Sequence, residues 1–352
     1  MNTKATQIND CDLNIRQFQL SNANGASMEV INQGAAIVSL NMPDRWGDFQ
    51  DVVLGLESPV AYLNNPNYFG AVVGRVANRI SQAQFKLGAT AYPLVVNAAP
   101  NHLHGGPGGF HQRCWSVCQE SWQSPPNRLQ FGYISEDGEE GYPGKLKVGV
   151  SYELTDDNAV LIDYCAVSDQ PTVVNLTQHS CFNLSGHAGG EIDNHFLKVH
   201  ADQYLPLAEN QIPSGAIDSL DSTPMDFRDY RRLGNVLLAE HRQLELGLGL
   251  DQYYVLAGGE EDLNLAAELR EETSGRSLAV YTDQPGLQVY TGNHIAPGTR
   301  GKSNVKYGPR HGICLETQHY PDAPNQPNFP SITLLPGQRY QSRTKFQFST
   351  FG

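Results

Sequence analysis

Two stretches of this chain carry residues suited to moving protons. Asn175 to Leu184 reads Asn-Leu-Thr-Gln-His-Ser-Cys-Phe-Asn-Leu. As a strand, it points Asn175, Thr177, His179, Cys181 and Asn183 to one side and Leu176, Phe182 and Leu184 to the other, with Gln178 and Ser180 between them. His311 to Gln318 repeats the pattern, with Ile313, Leu315 and Thr317 on one face and Cys314, Glu316 and Gln318 on the other. Histidine titrates near neutrality, which suits His179 to general acid–base work. A carboxylate among apolar and thiol neighbours is partly desolvated and so a stronger base, which describes Glu316. Each feature also has a plain reading: an outer strand whose polar face meets water, and a structural Glu in an internal ion pair. Cys181 shares the face of His179, as a nucleophile or as a small side chain lining a site.

Further polar residues stand in unusual company. Gly74 to Ile80 carries Arg75 and Arg79 four apart, and each alone reads most simply as a surface charge. Beside Asn78, Arg79 also offers a rigid fork of donors next to an amide, suited to gripping hydroxyls or an anionic oxygen. Asn101 to Gly106 sets His102 and His104 two apart. They can chelate a metal if a third ligand joins, or one of them can hydrogen-bond from a glycine-rich loop. The glycines of this loop make no phosphate-binding turn, for it holds neither a G-K-[ST] nor a strand–GxGxxG–helix unit. Asp251 opens an aromatic strand, where it serves as a turn or cap residue or as part of a site. Gln288 and Tyr290 share a face opposite Leu287 and Val289.

The elements that must position these residues are strands. Gly (34) and Pro (21) are plentiful across 352 residues while charged residues are only 17%, which favours short strands and turns over helical bundles. Lys147 to Leu154 and Ala159 to Val167 form an expected hairpin. Pro59 to Asn64 reads as a helical turn capped by Ser58, and Arg228 to Arg242 as the best helix. With no internal repeat or linker, one continuous β domain over residues 1–352 is expected. The net charge of -13 disfavours a nucleic-acid partner. No apolar run approaches the roughly 20 residues needed to span a bilayer. Met1 to Asp12 is polar and lacks the apolar core of a signal peptide. Cysteines 11, 114, 118, 165, 181 and 314 form no C-x-x-C pair, so unpaired thiols in a reducing cytoplasm are expected.

Taken together, Gly74 to Ile80, Asn101 to Gly106, Asn175 to Leu184, Gln284 to Asn293 and Gly312 to Gln318 resemble, in this order, the aldose 1-epimerase (galactose mutarotase) family. The loop Glu139-Glu140-Gly141-Tyr142-Pro143-Gly144 resembles it too. The resemblance implies an all-β, galactose mutarotase-like β-sandwich (supersandwich) with few short helices, and interconversion of the α and β anomers of free hexoses. It implies His179 as general acid, Glu316 as general base, and Asn78, Arg79, His104, Asp251 and Gln288 as residues that hold the sugar. The family often has Asp-His-Asn-Phe where this chain has Asp251-Gln252-Tyr253-Tyr254, a change that bears on which hydroxyls are read.

The residue chemistry agrees. Mutarotation removes a proton from the C1 hydroxyl and delivers one to the ring oxygen, tasks for a carboxylate and a protonated imidazole, and it needs neither cofactor nor metal. The expected partner is a free aldose, with no nucleic acid and no membrane. Three rivals remain. A hexose-6-phosphate epimerase would need extra cations near the cleft. A non-catalytic sugar-binding protein would need no matched acid and base. A metal hydrolase would use His104, His179, Asp251 and Glu316 as ligands.

Overall fold

The computed structural model describes residues 6–7, 15–118, 127–257 and 263–352. Its centre is a nine-stranded antiparallel sheet. In spatial order its strands are Ser116–Val117, Arg128–Ser135, Leu146–Leu154, Ala159–Ser168, Tyr340–Thr350, Arg276–Thr282, Asn264–Glu271, His195–Val199 and Arg231–Arg232. A six-stranded sheet lies across it: Cys181–Phe182, Ile313–Gln318, Gly286–Tyr290, Asp251–Leu256, Ala201–Leu205 and Asp218–Ser219. A five-stranded sheet, Thr6–Gln7 to Phe49–Asp51, closes one side. The buried guanidinium of Arg276 ties it on, donating to Met42 O at 3.2 Å, Asp48 O at 3.1 Å and Leu184 O at 3.0 Å.

Strand alternation decides which residues fill the sandwich and which face the site. Phe182, Ile313, Leu315, Leu287, Val289 and Tyr254 join the main core with Phe346, Phe348 and Val280 of the large sheet. Phe182 meets Phe346 edge-on with centroids 5.1 Å apart. Cutting such a buried ring to alanine typically costs about 3–5 kcal/mol. The alternate residues leave by the other face, and the register lines them up: Glu316 opposite Gln288, Cys314 opposite Tyr290, and Tyr290 opposite Asp251. Three strands thus present one polar surface on a rigid apolar base.

Some expectations are revised. Asn175 to Leu184 is two short strands, Thr177–Gln178 and Cys181–Phe182, with a break at His179. The first pairs with Val72–Val73 and the second with the Ile313–Gln318 strand. The backbone of His179 bonds Ala71 O and Gly70 N instead, at 3.0 and 2.9 Å. The stretch switches partners there, and its whole length is buried, so no face of it meets water. The single helix expected over 228–242 is replaced by Leu233–Leu237 and Arg242–Gly247. His241 starts the second, its Nδ1 accepting from Gln243 N at 3.2 Å, and exposed Leu238 leaves the apolar stripe interrupted. Pro59–Asn64 is a 3₁₀ turn with proline at its start, but Ser58 makes no side-chain cap. The hairpin Leu146–Leu154/Ala159–Ser168 forms as expected. No helix among the described residues is long and apolar enough to cross a membrane.

Candidate active site

Asn78, Arg79, His104, His179, Asp251, Gln288 and Glu316 all line one cavity of about 250 Å³. Sequence positions 78 to 316 converge because three strands of the six-stranded sheet form the floor and two loops form the walls.

The first wall is built from Arg79–Ile80 paired with His102–Leu103. The turn after His102 is tight: Gly105 has φ +82° and its α-carbon lies against the Gly74 carbonyl, where a Cβ has no room. His104 and Asn78 bond reciprocally, His104 N to Asn78 O at 3.0 Å and Asn78 N to His104 Nδ1 at 3.1 Å. A ring whose Nδ1 accepts carries its proton on Nε2 when neutral, so His104 offers a donor to the cavity. Burial, with His179 and Arg79 nearby, holds its pKa well below the ordinary value. His102 turns away, Nδ1 to Val95 O at 2.6 Å and Nε2 to the Tyr142 hydroxyl at 2.8 Å. The two histidines are therefore not a chelating pair.

Arg75 and Arg79 also separate. Arg75 is only 2% exposed, which corrects its reading as a surface charge. It donates to Ser135 Oγ, Ser135 O, Glu136 O and Pro143 O at 2.8–3.0 Å, pinning the loop that carries Glu139 to Gly144. That loop returns to the first wall through Tyr142 and through Glu140, whose Oε1 accepts from Gly108 N at 2.9 Å. Arg79 enters the cavity, its Nη1 3.9 Å from Asp251 Oδ2.

On the floor, Gln288 Nε2 donates to Asp251 Oδ1 at 2.6 Å. Burial raises the Asp251 pKa, opposed by Arg79 and Gln288. His179 Nε2 lies 3.6 Å from Glu316 Oε1, with the two residues 4% and 2% exposed. Burial lowers His179 to about 4. Burial, then the charge of Asp251, raises Glu316 well above the usual carboxylate range, with Arg79 opposing. Glu316 Oε2 is buried with no hydrogen-bond partner among the described residues, an acceptor left for a hydroxyl in the cavity.

Cys181 lies beneath His179, outside the cavity wall. It stands directly opposite Cys314, Cα–Cα 4.4 Å, and the two form a disulfide. This corrects the expectation of unpaired thiols, which rests on the lack of a C-x-x-C pair, because sequence spacing does not reveal cross-strand register. Cys314 Sγ is also 3.6 Å from His179 Nδ1. Cys114, Cys118 and Cys165 are free, and Cys11 lies outside the described residues.

Gln252 faces away from the cavity, buried and donating from Nε2 to Gln243 Oε1 at 3.1 Å. The departure beside Asp251 therefore does not reach a bound hydroxyl directly. Tyr68, which belongs to no motif of the sequence, also lines the cavity. Its ring packs against His104, His111 and His179 at centroid distances of 4.7, 4.5 and 5.7 Å, roofing the imidazoles. Tyr290 and His294, stacked at 6.1 Å, also line the mouth. Tyr290 could have been found from its place on the Gln288 face, but Tyr68 sits in no chemical pattern. His104, His179 and Glu316 each offer an atom within 4.8 Å of the others, so these three could also hold a cation.

A sequence model of aldose 1-epimerase matches residues 16–347. The chain belongs to the aldose 1-epimerase family. Human galactose mutarotase is 43% identical over 335 residues, covering 95% of this chain and 94% of that protein. The aldose 1-epimerase of Escherichia coli (strain K12) is 34% identical over 335 residues, covering 95% of each. The solved galactose 1-epimerase from Lactobacillus acidophilus NCFM superposes with a TM-score of 0.85 at 30% identity, covering 100% of this chain and 99% of that one. This epimerase is thus an isomerase on a galactose mutarotase-like sandwich, as the resemblance implies.

Proposed function

We propose that this epimerase interconverts the α and β anomers of free aldohexoses such as galactose and glucose, with Glu316 as base and His179 as acid. The observation that carries this reading is the His179–Glu316 pair, 3.6 Å apart, buried, and shifted in opposite directions. The pair shares one proton in two arrangements, carboxylate with imidazolium or carboxylic acid with imidazole. Starting from the charged arrangement, Glu316 takes the C1 hydroxyl proton. The O–H electrons form the C1 carbonyl, the C1–O5 bond breaks, and O5 takes its proton from His179. The pair ends neutral. Burial penalises the charged arrangement, so it makes Glu316 a stronger base and His179 a stronger acid than either is in water. Rotation about C1–C2 and the reverse transfers close the ring with the other face attacked, and the pair returns to its starting state.

Asn78, Arg79, His104, Asp251 and Gln288 supply donors and acceptors for the remaining hydroxyls, which holds C1 against the pair. Arg79 is the one Arg or Lys among the described residues that line the cavity, and it already faces Asp251. That favours a neutral sugar over a hexose 6-phosphate, whose dianion calls for several cations. Polarimetry of freshly dissolved α-D-galactose tests the reading. Acceleration toward the unchanged equilibrium rotation is expected. Inactivity on galactose and glucose with activity on glucose 6-phosphate would replace it.

A further inference from the structure

We infer that Gln211, a residue outside the cavity wall, is the positioning residue for Arg79 and thereby sets sugar affinity. The inference rests on the reading of Arg79 as a sugar-holding group. A guanidinium recognises hydroxyls only if its planar fork is held still, since the free side chain has many rotamers. Its ion pair with Asp251 is loose, Nη1 to Oδ2 at 3.9 Å. The close contact is on the other side, where Arg79 Nη2 donates to Gln211 Oε1.

Gln211 is itself fixed. Its Nε2 donates to Leu246 O at 2.9 Å, at the end of the second short helix, and lies 3.5 Å from His294 Nε2 at the cavity mouth. The loop beneath it is closed by Ala208 N to Ile212 O at 2.7 Å and Ser214 N to Pro206 O at 2.8 Å. Asn101 ties the same loop to the first wall, donating from Nδ2 to Asn210 O at 3.1 Å, while its Oδ1 accepts from Gln82 N at 3.2 Å. Gln211 therefore connects Arg79 to a frame anchored on both sides of the mouth. It is also neutral. A carboxylate there would satisfy Arg79 but offset its charge, which acts on both Asp251 and Glu316. An amide holds the fork and leaves that charge to the site.

The test is a cycle of Gln211→Leu and Arg79→Ala, with Gln211→Glu as the variant that keeps the acceptor. kcat and KM for galactose mutarotation are read together with thermal midpoints. Gln211→Leu is expected to raise KM roughly tenfold or more, the usual weight of a hydrogen bond to a charged group, with kcat and thermal midpoint little changed. Gln211→Glu keeps the acceptor for Arg79 but loses the donor that holds it on Leu246 O, so it should recover only part of that KM. In the Arg79→Ala background Gln211→Leu should add nothing, because the group it positions is gone. A wild-type KM in Gln211→Leu, or the same penalty in both backgrounds, overturns the inference. If Arg79→Ala itself leaves KM unchanged, it is the assignment of Arg79 that fails.

Discussion

Replacing Glu316 with glutamine keeps the side chain's size and much of its hydrogen bonding while removing the charge that accepts the proton. The separation from His179 is 3.6 Å. At an effective dielectric of about 20, opposite unit charges that far apart attract by about 5 kcal/mol, which is the interaction the charged arrangement loses. Positioned proton transfer is typically worth roughly 10²–10⁴-fold, or about 3–5 kcal/mol of barrier. The two scales agree, so kcat for galactose should fall at least about a hundredfold. Binding by calorimetry should change little, since Asn78, Arg79, His104, Asp251 and Gln288 all remain. Stability should rise. The folded pKa of Glu316 is raised, so the folded state binds more protons than the unfolded one between the ordinary and raised values. Its contribution to stability therefore falls as pH climbs through that window. Glutamine removes this penalty, and the variant should melt higher than wild type at neutral pH. Near-full turnover would remove Glu316 as the base, and loss of binding in step with turnover would make it a sugar-holding group instead.

His179→Asn should lower turnover by a similar factor, and the double variant should be little worse than either single one, because the two residues act as a unit; additive losses would argue for independent roles. The pH profile of kcat/KM should fall in acid near pH 4, where His179 gains the pair's second proton, and again in alkali above the raised Glu316 value; an acid limb near the ordinary histidine value would contradict the burial argument. Stability should decline from about pH 6.5 downward, separately from activity, because buried His111, His179 and His195 are lowered to about 3, 4 and 4. Their unfolded forms bind protons first, so each withdraws up to about 3–5 kcal/mol as pH falls through its folded pKa; urea midpoints flat across this range would refute it. Gln252→His should leave the preference between galactose and glucose unchanged, and a switched preference would show that position 252 reaches the sugar.

The faces of Gly286–Tyr290 and Ile313–Gln318 were legible because a period of two assigns each side chain to a side without knowledge of partners. What alternation does not give is register. Cys181 and Cys314 became a pair, and Glu316 became the neighbour of His179, only once the strands were aligned. The break at His179 was hidden for the same reason: its backbone bonds to residues 70 and 71, more than a hundred positions away. Arg75 could not be recognised as buried because the oxygens that satisfy it come from residues 135, 136 and 143. Tyr68 and Gln211 act through contacts with distant loops and leave no local pattern.

The most direct test of the His179–Glu316 pair as an anomer-interconverting site is magnetisation exchange between the two anomeric protons of galactose at equilibrium. With catalytic protein, exchange between the α and β signals is expected, equal in both directions and abolished by Glu316→Gln. Methyl α-D-galactoside, which has no C1 hydroxyl proton to give, should show none. Exchange that persists in the methyl glycoside, or no exchange in any free aldose, would contradict ring opening by this pair.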